Sequence, residues 1–137
     1  MESRFHLSLP CLNVKETRAF YVELIGAKIG RSATYWIDVD LFGHQITFAK
    51  TGAFDFQCKS YSFEGTILPA FHLGVILHKK EWNNMLERLT TENQLTIPKT
   101  SFLVGQKGAH QSFFVTDPNG YLFEFKCFDK ENEVFEN

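Results

Sequence analysis

Phe5-His6-Leu7-Ser8-Leu9 and Phe71-His72-Leu73-Gly74-Val75-Ile76-Leu77 are the two stretches that decide the fold. The triplet Phe-His-Leu recurs with an offset of 66 residues, from position 5 to position 71. Each copy opens a run of strand formers, and each run leads into a segment with helical spacing. A repeat of this kind fixes architecture before any single residue is interpreted.

Working outward from the first copy, Pro10 ends or edges the strand. Asn13 is placed to cap a helix, with Glu16 three residues on to complete a capping box. Val14, Phe20, Tyr21, Leu24 and Ile25 give mostly helical spacing over 14–25, and Gly26 is a natural stop. A short strand near Ala27–Arg31 follows. Tyr35–Leu41 and Gln45–Lys50 then form a hairpin turning at Phe42-Gly43. Residues 51–69, with Gly52, Gly65 and Pro69, read as a long irregular connection. From the second copy, Lys80–Glu92 carries the apolar stripe Trp82, Met85, Leu86 and Leu89 of a helix. Ser112–Thr116 and Tyr121–Phe128 are strands joined by the turn Asp117-Pro118-Asn119-Gly120. Each half therefore reads strand, helix, then two or three strands.

The chain of 137 residues suits one domain with a sizeable core, at 44% hydrophobic and 22% charged residues. The net charge of −2, with no basic tract, argues against a nucleic-acid partner. No stretch approaches the ~20 apolar residues of a membrane span, and no secretory leader is visible. The three cysteines, Cys11, Cys58 and Cys127, are widely spaced and odd in number, so neither a disulfide framework nor a zinc knuckle is expected. Free thiols fit a reducing, cytoplasmic location. The 15 phenylalanines suit rings packed between sheet and helices, or an apolar pocket.

The chemistry starts from the repeated histidine. A lone histidine in an apolar strand is usually structural. His6 and His72 gain weight together, because duplication places them at equivalent positions. Glu124 lies in Tyr121-Leu122-Phe123-Glu124-Phe125-Lys126, where alternation sends Phe123 and Phe125 to one face and Glu124 to the other. That face is either solvated surface or the lining of a cavity. A carboxylate in a cavity is costly without a partner, and a cation supplies one. Two histidines and a carboxylate leave coordination positions open, as in Fe(II) oxygenase and several zinc sites.

These residues resemble the vicinal oxygen chelate superfamily, which contains glyoxalases, bleomycin- and fosfomycin-resistance proteins, an epimerase and extradiol dioxygenases. The similarity rests on Phe5-His6-Leu7 with Pro10, on Ala19-Phe20-Tyr21-Val22-Glu23-Leu24-Ile25-Gly26, on Phe71-His72-Leu73-Gly74-Val75, and on Phe114 through Phe125 with its Asp117-Pro118-Asn119-Gly120 turn. It covers nearly the whole chain up to Phe128. It implies an α+β fold of two βαβββ modules forming a cup-shaped mixed β-sheet with helices packed outside. Module one would occupy about 4–50, the connecting loop about 51–69, and module two about 70–128. It also implies a divalent metal ion (Fe, Zn, Ni or Mn) held by His6, His72 and Glu124. The fourth family position falls on Gln45 or Thr47, with Gln45 favoured, since His44 shares the parity of Ile46 and Phe48. His110 is a candidate catalytic acid or base, and Arg31 a candidate clamp for an anionic substrate. For either residue, a plain surface role is the competing reading. The implied activity is a lyase, isomerase or dioxygenase reaction on a small oxygenated molecule. The competing function is sequestration of a planar drug without catalysis. A homodimer is the expected assembly.

Overall fold

The computed structural model describes residues 2–137. Its contacts divide the chain into two compact units. One runs through Phe56 and takes in Asp117–Gly120; the other comprises Gln57–Thr116 and Tyr121–Asn137.

The first unit opens with β1 (His6–Cys11) and α1 (Val14–Arg18), which continues as a π-helical segment over Ala19–Ile25. The Asn13 side chain accepts a hydrogen bond from the Glu16 amide at 2.9 Å, as a cap should. Gly26 ends the segment at φ 91°, a left-handed conformation that glycine adopts without strain. Three further strands follow, β2 (Lys28–Ala33), β3 (Trp36–Leu41) and β4 (His44–Lys50). Their order in the sheet is β1-β4-β3-β2, with β1 parallel to β4 and the other pairs antiparallel. Ile37, Val39, Ile46 and Phe48 are buried. The Tyr21 ring stacks on Phe48 with centroids 4.6 Å apart. The expected β-α-β-β-β string is therefore present, with β2 running two residues further than the sequence pattern suggested.

The second unit begins where the sequence suggested a structureless connection. Residues within 51–69 form a hairpin, β5 (Ser60–Phe63) and β6 (Thr66–Pro69). Glu64 and Gly65 make its turn, both at positive φ (49° and 82°), the geometry that matches strand twist in a two-residue hairpin. Then come β7 (Leu73–Ile76), α2 (Lys79–Thr91), β8 (Leu95–Phe102), β9 (His110–Thr116) and β10 (Leu122–Phe128). The sheet order is β7-β10-β9-β8, with β7 parallel to β10. This repeats the order of the first sheet. β8 is an addition to the sequence reading. It carries Pro98 within an edge strand, and its pairing with β9 shifts register on either side of Ile97. Proline removes a ladder donor, so an edge with irregular pairing is where it is tolerated.

Each face of the second sheet has a cover. On one side Trp82 and Leu89 of α2 are fully buried, and Trp82 Nε1 donates to the Phe125 carbonyl at 2.8 Å. Phe113, Phe123 and Phe125 are buried too, with Phe113 and Phe125 stacked at 5.0 Å. On the other side Leu68 packs with Phe114 and Leu122, and Phe63 and Ile97 join them. The β5-β6 hairpin therefore roofs the face that carries Glu124. Among the described residues no helix is long and apolar enough to cross a membrane.

Candidate metal centre

His72 lies just before β7, and Glu124 lies on β10, the strand to which β7 pairs. Gly74 pairs directly with Glu124, and a Cβ at Gly74 would collide with the Glu124 carbonyl oxygen. Only glycine permits this approach of the two strands. The result is His72 Nε2 at 3.2 Å from Glu124 Oε1.

The surroundings orient both groups. His72 Nδ1 lies 3.0 Å from the Pro69 carbonyl oxygen. A carbonyl only accepts, so Nδ1 carries the proton and Nε2 is the ring nitrogen left to face the carboxylate. A bare lone pair facing a carboxylate oxygen is repulsive, so the gap calls for a proton or a cation. A histidine whose second nitrogen is fixed by a backbone carbonyl is also how metal-ligating imidazoles are commonly held. On the other side of Glu124, Ser112 Oγ donates to Oε2 at 2.5 Å and Lys126 Nζ stands 3.8 Å away. Glu124 is 8% exposed, so these partners matter to its charge state.

The electrostatics follow from this arrangement. The hydrogen bond to Glu124 raises the His72 pKa above its ordinary value, against burial, which opposes the charge. Burial alone would raise the Glu124 carboxyl. The hydrogen bonds from His72 and Ser112, with the charge of Lys126, outweigh it, and the pKa falls below its ordinary value. Both shifts favour the charged forms of the pair, and a divalent ion in place of a proton between them would meet one nitrogen and one oxygen donor. His72 and Glu124 fit such an ion. Among the described residues, no group of three or more His, Cys, Asp or Glu side chains is placed to hold a metal ion.

The first unit carries the other candidates. His6 begins β1 and is exposed, on the same strand face as Ser8. It pairs in register with Gln45, and Ser8 pairs with Thr47. The parity assignment holds locally: Ile46 and Phe48 are buried, whereas Gln45 and Thr47 are half-buried on the opposite face. Extending the β7 register by one residue aligns His72 with Leu122. By that register Thr47, not Gln45, occupies the position equivalent to Glu124. Both side chains donate to Asp38, Thr47 Oγ1 to Oδ1 at 2.6 Å and Gln45 Nε2 to Oδ2 at 3.2 Å. His44 begins β4 beside the Phe42-Gly43 turn, and its Nδ1 accepts from the Phe5 amide at 3.2 Å.

Arg31 is held rather than free. Its Nε and a terminal nitrogen both lie 3.0 Å from Asp38 Oδ2, and its guanidinium sits 5.5 Å from the Trp36 ring centre. It lines a cavity of about 290 Å³ with Arg4, Asp40, His44 and Gln45. Asp38 itself, 3% exposed, was not singled out in the sequence. Its signal was available: it shares strand parity with Trp36 and Asp40 in an otherwise apolar run. Ser112 and the Pro69 carbonyl were missed for a different reason. Their roles depend on cross-strand neighbours and on a hairpin that composition did not reveal.

His110 begins β9 and is buried among Phe63, Phe102 and Phe128. With His72, Glu124 and Lys126 it lines a cavity of about 160 Å³ in the second unit. A neighbouring cavity of about 260 Å³ reaches the same three residues from the β7 side.

No protein-family profile matches the sequence, and no curated protein matches it significantly. Solved structures do match. One is a glyoxalase/bleomycin resistance protein/dioxygenase from Alicyclobacillus acidocaldarius, with 24% identity, 97% of this chain and 96% of that chain covered, and a TM-score of 0.82. Another is the genomically encoded fosfomycin resistance protein FosX from Listeria monocytogenes, with 18% identity, coverage of 97% and 98%, and a TM-score of 0.68. Both belong to the vicinal oxygen chelate superfamily. At these identities the likeness establishes the fold: this chain has the α+β, βαβββ-module fold of that superfamily.

Proposed function

We propose that this protein is a divalent-metal-dependent enzyme, of lyase, isomerase or dioxygenase type, acting on a small oxygenated substrate. The observation that carries the reading is the His72–Glu124 pair, 3.2 Å apart, with Nδ1 of the imidazole already committed to Pro69. A ring fixed in that tautomer presents Nε2 as a ligand without further reorganisation. His72 and Glu124 supply two ligands. His6 is the third ligand implied by the internal repeat, contributed by the same chain or by a second copy in the expected homodimer. Fe, Zn, Ni and Mn all suit a nitrogen and carboxylate donor set. Such an ion, when bound, polarises oxygens of a chelated substrate and stabilises negative charge developing on them.

The chain's own residues have separable roles. Ser112 holds Glu124 by donating to the oxygen that does not face His72. Lys126 adds positive charge beside the carboxylate and so favours anionic ligands in the adjoining cavities. His110 is the candidate group for moving or holding a proton in the smaller cavity. Arg31, tethered by Asp38, keeps a subsidiary role as a binder of anionic substrate groups in the first unit's cavity.

A second reading, sequestration of a planar molecule without catalysis, is favoured by the aromatic walls around His110. Elemental analysis separates the two. Protein purified without a histidine tag is expected to carry close to one ion per site, or to take one up on addition of Fe, Zn, Ni or Mn. No metal under any of these conditions would overturn the enzyme reading.

A further inference from the structure

Within the second unit, the 160 Å³ cavity beside Glu124 has walls of two kinds. Tyr61 and Phe63 of β5, Leu68 of β6 and Phe102 of β8 make it apolar on one side. Its aromatic side is a stack: Phe63 and Phe102 lie 5.3 Å apart at 30°, and Phe102 and His110 lie 5.3 Å apart at 27°. A Phe102 ring parallel to an imidazole leaves a flat wall, and flat walls select flat ligands. The opposite side is polar, made by His72, Glu124 and Lys126.

His110 adds directionality. Its Nδ1 lies 2.8 Å from the Gly108 carbonyl oxygen, which can only accept. In the neutral ring, Nε2 therefore bears the lone pair. Among the described residues no group bonds to Nε2 and no fully buried side-chain nitrogen lacks a partner, so Nε2 is accessible, on a residue that lines the cavity. An acceptor on an aromatic wall is matched by a ligand hydroxyl or N–H, and a ligand lacking that donor leaves the acceptor desolvated and unpaired.

We propose that Phe63, Leu68, Phe102 and His110 form a subsite for a single six-membered aromatic ring carrying a hydroxyl or N–H donor, which bonds to His110 Nε2. The volume suits one ring, since a cavity of about 150 Å³ holds benzene. Placing the ring's oxygen-bearing end toward His72 and Glu124 rests on the metal reading above; the ring's seating against Phe102 and His110 does not.

The test uses the full chain and two probes of similar size, phenol and anisole, with binding followed by amide chemical shifts. Phenol is expected to bind at millimolar concentration and shift amides of β5, β8 and β9. Anisole, which has no donor, should bind about tenfold more weakly, as one unmade hydrogen bond to a buried acceptor implies. His110→Phe should abolish the preference while keeping a ring in the stack, and His110→Gln, which retains an acceptor, should keep it. Equal binding of phenol and anisole by the natural protein, or an unchanged preference in His110→Phe, would overturn the subsite. Zinc titration of the same samples separates the two ideas. Zinc uptake without discrimination between the probes defeats the subsite alone. Discrimination without zinc uptake supports the subsite and defeats the metal reading.

Discussion

At the scale of single residues, the central feature is a histidine that is oriented before any ligand arrives. Pro69 fixes the His72 tautomer, Ser112 fixes the Glu124 rotamer, and 3.2 Å separates the two facing atoms. The pH consequences have definite signs. The His72 pKa is raised, so in the ion-free protein the pair contributes stability that is complete below 6.5 and is lost as pH rises through the higher folded value. The Glu124 pKa is lowered, so its contribution is present above 4.5 and is lost as pH falls. A metal ion must displace the His72 proton. Apparent zinc affinity should therefore rise by about tenfold per pH unit until the raised His72 pKa is passed, and then level off. A flat profile from pH 6 to 8 would contradict that. Ser112→Ala should weaken zinc binding about tenfold, the lower range for loss of an outer partner, without unfolding the protein. Repeat and alternation, which are one-dimensional signals, singled out His6, His72 and Glu124, and the structure brings His72 and Glu124 of these together. Ser112 and Pro69 were not, because their roles exist only across strand pairs and at a hairpin end.

The elements tell a similar story of signal and silence. The helix over Val14–Ile25 and its Asn13 cap could be read directly, since cap and spacing are local. The β5-β6 hairpin could not be read from composition, although Glu64-Gly65 flanked by Tyr61, Phe63, Ile67 and Leu68 carries a two-residue turn signal. β8 escaped because Pro98 and three polar residues break its alternation, which an edge strand tolerates. Gly74 is the residue on which β7 depends, since any Cβ there meets the β10 backbone. Gly74→Ala should cost roughly 1–3 kcal/mol in chemical denaturation and should also weaken metal binding, because β7 carries His72 into place. If Gly74→Ala matches the natural protein in both, the close approach of β7 and β10 is not what positions His72. Trp82→Ala, which empties the helix-facing side of the sheet, should cost about 3–5 kcal/mol and leave metal stoichiometry unchanged in the folded fraction.

At the scale of the whole molecule, the same strand order, with the first strand parallel to the last, appears in both sheets. The repetition was visible as Phe5-His6-Leu7 and Phe71-His72-Leu73, and the fold shared with the glyoxalase-type and FosX structures agrees with it. The two copies have diverged in their polar chemistry. Where the second sheet places Glu124 on its last strand, the first places Thr47, bonded to the buried Asp38 and joined there by Arg31 and Gln45. A fold of this kind hosts several reactions, so the assignment of function stands on the site rather than on the architecture. The homodimer expected from the family resemblance predicts a solution mass twice that of the 15.8 kDa chain by light scattering; a monomer at micromolar concentration would refute it. The most direct test of the account is calorimetric titration of Zn²⁺ into tag-free protein and into His72→Ala at pH 8. The natural protein should bind one ion per site, and the folded variant should bind at least a hundredfold more weakly, about 2.7 kcal/mol. Equal zinc affinity in the two would contradict the placement of the metal at His72 and Glu124.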